Sequence, residues 1–140
     1  MSFREKLARV MGFVLVLASS YYFGYVVGQG HKLEAVPPPS IKLAFAYVSL
    51  VMIGSIIGAG GVALQNTEEA NAPADERERI ILDKAGKWSG YLVGLFAMLG
   101  VLHYWMFQEG NILFHLVVAG LMLSQIAKYV SQVVLFRRGV

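Results

Sequence analysis

Four apolar runs, at residues 10–28, 41–64, 88–107 and 112–136, dominate the chain. None contains an aspartate or glutamate, and Lys128 is the one base placed well away from a run's ends. Each is close to the about 20 residues that carry a helix across about 30 Å of hydrocarbon. Backbone N–H and C=O groups in lipid must pair within the structure, so runs of this length predict helices. A lipid-facing barrel would instead show alternating segments of about 10 residues. The composition agrees: 56% of the 140 residues are hydrophobic and 15% charged, against about 45–50% and about 25% in soluble domains. The expectation is an all-α integral membrane four-helix bundle, one domain over residues 1–140, built from two antiparallel transmembrane hairpins.

These features exclude a disordered chain, a coiled coil and a nucleic-acid-binding module, despite a pI near 9.3. The absence of cysteine excludes disulfides, thiolate metal sites, iron–sulfur clusters and a cysteine nucleophile.

The first run follows Arg4, Lys6 and Arg9, and Val16-Leu17-Ala18 resembles a signal-peptidase site. The apolar stretch nevertheless continues through Tyr21, Tyr22, Phe23, Tyr25, Val26 and Val27. A signal core spans only about 7–15 residues, so a retained helix is expected. Bases set the orientation. Arg4, Lys6, Arg9, Arg77, Arg79, Lys84, Lys87, Lys128, Arg137 and Arg138 fall on one side, and only Lys32 and Lys42 on the other. This predicts a multi-pass membrane protein with both termini and loop 65–87 in the cytoplasm.

The connections differ in kind. Residues 29–40 contain Pro37, Pro38 and Pro39, which favour a short extended segment. Residues 108–111 form a tight turn. Loop 65–87 begins polar and irregular, then becomes Asp75-Glu76-Arg77-Glu78-Arg79 ahead of Ile80 and Ile81. Asp75 with Glu78 three residues later is an acidic variant of the capping box, so a helix is expected to start here and run into the third span. Glu76 with Arg79, and Arg79 with Asp83, have the spacing of helical ion pairs. A glycine-aromatic start and a glutamine-glycine end shared by residues 12–30 and 90–110 also fit an internal duplication.

Small residues recur four apart at Ser20/Gly24/Gly28, Gly54/Gly58 and Gly86/Gly90/Gly94, with Ser55/Ala59/Ala63 on an adjacent ridge. In lipid, close backbone approach supplies much of the helix association energy. These ridges are expected to face neighbouring helices, within one chain or across a homodimer or larger complex. Aromatic residues near the ends of the runs fit an interfacial belt.

Few groups are suited to chemistry. His103 and His115 fall at similar depth in the third and fourth spans, where two imidazoles could ligate a b-type haem or a metal, or relay a proton; the plainer reading has each bonding backbone or water. Two histidines without further ligands are a weak metal signal, and no metal ligand is assigned. Gln125, Lys128 and Gln132 share one face of the fourth helix. An ionisable group inside a span is a functional candidate, although Lys128 could also snorkel toward the surface beside a carboxylate such as Asp83. No span contains a carboxylate, and no nucleophile–base set or phosphate loop is present, so no enzyme is expected.

The opening Met-Ser-Phe-Arg-Glu-Lys, the central Asp-Glu-Arg-Glu-Arg and the closing Lys-Tyr-Val-Ser-Gln-Val-Val-Leu-Phe-Arg-Arg-Gly-Val resemble a family of small four-span prokaryotic integral membrane proteins of unknown function. The matching positions are Asp75, Glu76, Arg77, Arg79, Arg137 and Arg138. The resemblance implies a bacterial membrane protein and supplies no activity. Family members often neighbour small helix-turn-helix regulators, which implies a membrane partner for a cytoplasmic regulator.

Three functions follow as expectations. The first is a non-catalytic regulatory or adaptor protein that docks a partner through residues 75–87, with Asp75, Glu76, Arg77, Arg79 and Asp83 as the contact set. The second is a small transporter or channel subunit using Gln125, Lys128 and Gln132. The third is an electron-transfer subunit carrying haem on His103 and His115.

Overall fold

The computed structural model describes residues 2–65 and 67–138; Met1, Gly139 and Val140 of the terminal motifs, and Asn66 of the central loop, lie outside them. The described chain is helical: α1 (Phe3–Leu33), α2 (Ile41–Gln65), α3 (Thr67–Asn71), α4 (Glu76–Phe107) and α5 (Gly110–Arg138). All but α3 are long and apolar enough to cross a membrane, as the runs predict. The helices extend beyond the runs because polar residues at their ends are good helix formers or caps. Thus α1 continues to Leu33, and only residues 34–40 connect it to α2.

Local chemistry sets the ends. Ser2 caps α1 by accepting from the Glu5 N–H at 3.3 Å. The capping box at Asp75 forms: its carboxylate accepts from the Glu78 N–H at 2.6 Å, and Glu78 Oε2 accepts from the Asp75 N–H at 3.3 Å. Glu34 and Gln108 end α1 and α4 in the left-handed region, at φ 50° and 59°. The Gln108 N–H closes the last turn of α4 on the Tyr104 carbonyl. Only Gln108 and Glu109 then separate α4 from α5. The Arg79 pairs do not form among the described residues: Arg79 Nε donates to the Ala74 carbonyl at 3.1 Å instead, which draws the guanidinium back toward the cap.

The four long helices pack in the order α2, α1, α5, α4, so each consecutive pair touches and the α1–α5 seam joins the two pairs. Glycines set these approaches. A Cβ on Gly54 would lie 2.6 Å from Val14 Cγ1, and one on Gly58 would meet Val10, so α2 lies almost backbone-close to α1. Gly120 meets Phe96 in the same way across α4 and α5, and Gly12 lies against Tyr129 across the central seam. Nothing lies within 4 Å of the Cβ positions of Gly24, Gly28, Gly86, Gly90 or Gly94. Among the described residues, those glycines make no close helix contact.

The bundle turns its apolar side chains outward. Phe45, Ile57, Trp105 and Met106 are all more than two-thirds exposed. Soluble monomers rarely expose contiguous apolar surface on this scale, whereas hydrocarbon solvates it. The buried interior is narrow: Tyr22, Leu43 and Met122 form one cluster, and Ala8, Ile81, Ala85 and Leu135 are also buried.

Candidate functional site: a polar cleft and a fastened charged segment

Polar residues gather where the start of α1, the start of α4 and the end of α5 meet. Arg4 Nε donates to Glu78 Oε2 at 2.9 Å, and Arg4 Nη2 donates to the Ala72 carbonyl at 3.2 Å. The Phe3 N–H donates to Glu69 Oε2 at 2.9 Å, and Arg77 Nη2 donates to the Phe136 carbonyl at 3.3 Å. The stretch from Glu69 to Glu78 is therefore bound to two other parts of the chain, the beginning of α1 and the close of α5. Asp75, Glu76, Arg77, Arg79 and Asp83 are all exposed, with the first four grouped around the α4 cap and Asp83 two turns further on.

Beside this segment, a cleft of about 480 Å³ opens between α1, α4 and α5. Its polar lining is Arg4, Asp83, Lys87, Lys128, Tyr129 and Gln132. Asp83 and Lys87 stand exposed on the rim, Arg4 and Lys128 are half-buried, and Gln132 is only 4% exposed. Asp83 and Lys128 thus share the cleft, yet among the described residues Lys128 has no ion-pair partner. The Gln132 side chain makes no hydrogen bond among the described residues. Gln132 lines the cleft, so its side-chain amide is open to whatever enters. Gln125, on the same face of α5, is exposed and lines a separate groove of about 370 Å³ with Tyr22, Tyr47, Val118 and Leu121.

The histidines face different neighbours. His115 is buried against α1 and the 34–40 connection. Its Nε2 lies 3.0 Å from the Pro37 carbonyl, and its Nδ1 lies 3.3 Å from the Tyr22 hydroxyl. A carbonyl only accepts, so in the neutral ring Nε2 carries the proton and Nδ1 accepts from Tyr22. Both nitrogens are in use. The His103 ring lies 4.7 Å from that of Phe107, and its Nδ1 has no hydrogen-bond partner among the described residues. No group of three or more metal-binding side chains occurs among the described residues.

Arg4, Lys87 and Tyr129 were not singled out by the sequence as partners of Lys128. Their signal is faint: Arg4 and Lys87 each lie just outside an apolar run, where bases are common. Tyr22 as the partner of His115 had no sequence signal, because 93 residues separate them.

No protein-family model, no curated protein and no solved structure matches the chain.

Proposed function

We propose that this is a non-catalytic interaction protein of the bacterial inner membrane that docks a cytoplasmic regulator through residues 75–87. The observation that carries this reading is the fastening of the segment. Arg4–Glu78, Phe3–Glu69 and Arg77–Phe136 hold the most highly charged stretch of the chain against two spanning helices. A surface held in one conformation loses less entropy on binding than a loose loop. Asp75, Glu76, Arg77 and Arg79 are exposed on that surface, and mixed charge favours partner selection over bulk affinity.

The orientation belongs to the same reading. The contacts Arg4–Glu78 and Arg77–Phe136 gather one set of helix ends. The Asn111 side chain donating to the Val36 carbonyl at 3.2 Å, with His115 on Pro37, gathers the other. Both support two antiparallel hairpins. With ten of the twelve Lys and Arg residues at the first set of ends, the positive-inside rule places both termini and the charged segment in the cytoplasm.

The test is affinity capture of the tagged chain from membranes in mild detergent, comparing wild type with the Arg77→Glu/Arg79→Glu double variant. A soluble protein retained by wild type and lost from the double variant is expected. Identical captured sets, with the variant still folded and inserted, would overturn the reading.

A further inference from the structure

The cleft between α1, α4 and α5 carries a binding chemistry of its own, independent of partner docking. We propose that it holds the phosphodiester of an anionic phospholipid, with Lys128, Lys87 and Gln132 as ligands.

Charge comes first. Arg4 is already matched by Glu78, which leaves Lys87 and Lys128 facing Asp83 among the cleft's charges. The remaining single positive charge matches one phosphodiester. Lys128 has no ion-pair partner among the described residues, and a half-buried ammonium at membrane depth gains most from an anion beside it. Gln132, 4% exposed and without a side-chain hydrogen bond among the described residues, supplies an N–H donor at the same wall. Both cationic and neutral donors therefore converge on one space of about 480 Å³.

Position comes second. Asp83 and Lys87 precede the apolar run that begins at residue 88, Arg4 precedes the run at residue 10, and Lys128 lies about 12 Å along the axis from Phe136 by helical rise. The cleft thus straddles the boundary between hydrocarbon and headgroups. Basic pockets between spanning helices on the cytoplasmic side suit anionic headgroups.

Shape comes third. The face of α5 bearing Lys128 continues one turn on to Gln125 and then to Leu121 and Val118, which line an apolar groove with Tyr22 and Tyr47. That surface suits an acyl chain, which a free phosphate lacks.

The test uses the purified full chain in mild detergent, with native mass spectrometry of phosphatidylglycerol and phosphatidylcholine of identical acyl chains. Phosphatidylglycerol should bind in preference. Lys128→Gln should weaken that binding about five-fold, the worth of one lysine near an anionic surface, while leaving phosphatidylcholine unchanged. Lys128→Arg should retain the preference. Lys84→Gln, an equal charge loss outside the cleft, should leave it intact. If Lys128→Gln does not fold, Lys87→Gln on the exposed rim should give the same loss. Equal binding of the two lipids, or a preference untouched by Lys128→Gln and Lys87→Gln, overturns the proposal. Displacement of phosphatidylglycerol by excess inorganic phosphate would assign the site to a free anion and overturn the lipid as its source.

Discussion

Arg4 Nε donates to Glu78 Oε2 at 2.9 Å, joining two residues 74 positions apart. The same carboxylate oxygen also accepts from the Asp75 N–H as part of the capping box. One side chain therefore both starts α4 and ties it to α1. The pair is partly shielded, with side-chain exposures of 26% and 17%, so screening reduces its worth less than at an open surface.

Because Glu78 serves two roles, Glu78→Ala should loosen the 72–80 stretch more than Arg4→Ala. The ion pair alone is worth about 0.2–1 kcal/mol when exposed, and the bond from Glu78 to the Asp75 N–H adds about 0.5–1.5 kcal/mol. Hydrogen exchange in detergent measures this: protection at residues 76–80 should fall further in Glu78→Ala. Equal loss in both variants would show that the Glu78 half of the capping box adds nothing.

The glycines yield a test of opposite signs. Gly120→Ala places a methyl group on Phe96 Cβ, next to the backbone, and Gly54→Ala places one on Val14. Valine in a helix is confined largely to one rotamer, so neither neighbour can swing aside. Each variant should lose about 1–3 kcal/mol. Gly90→Ala and Gly94→Ala enter open space and should gain about 0.5–1 kcal/mol from reduced backbone entropy. Thermal unfolding in detergent reads all four. Destabilisation by Gly90→Ala would mean that a second copy or another protein packs on that ridge.

Tyr22→Phe removes the hydroxyl that His115 Nδ1 meets and should cost about 0.5–1.5 kcal/mol. His115→Ala should cost more, since it leaves both the Tyr22 hydroxyl and the Pro37 carbonyl without that partner and opens a cavity. With both nitrogens of His115 engaged, haem added to the purified protein should give no absorption band that His115→Ala abolishes. Such a band would show that the Pro37 or Tyr22 bond yields to iron.

The chain lacks cysteine, which makes single-cysteine labelling unambiguous. Glu109→Cys should react with a membrane-impermeant maleimide in intact cells. Ala74→Cys should react only after the membrane is opened. The reverse pattern would invert the orientation drawn from the bases.

Much of the fold was legible because its causes are local. Hydropathy along the chain set four helices, and Asp75 followed by Glu78 set where α4 begins. The charged segment was legible as exposed, because six acids and four bases between residues 68 and 87 leave little to bury. Its fastening was not, since Glu69 does not announce that it will meet the start of α1, nor Phe136 that it will meet Arg77. The same holds for the glycines: equal spacing at Gly54/Gly58 and Gly90/Gly94 looked alike, yet only the first pair lies against a neighbouring helix.

The sequence by itself determined that this protein is a set of spanning helices, that α4 begins at the Asp75 cap, and how its bases divide between the ends. Those properties depend on transfer from water to lipid and on bonds within a few residues. The tertiary structure alone decided that Arg4, Lys87, Lys128 and Gln132 share a cleft, and that His115 faces Tyr22 and Pro37. A helix presents all its faces in one linear sequence, and only packing against specific neighbours selects which face is used.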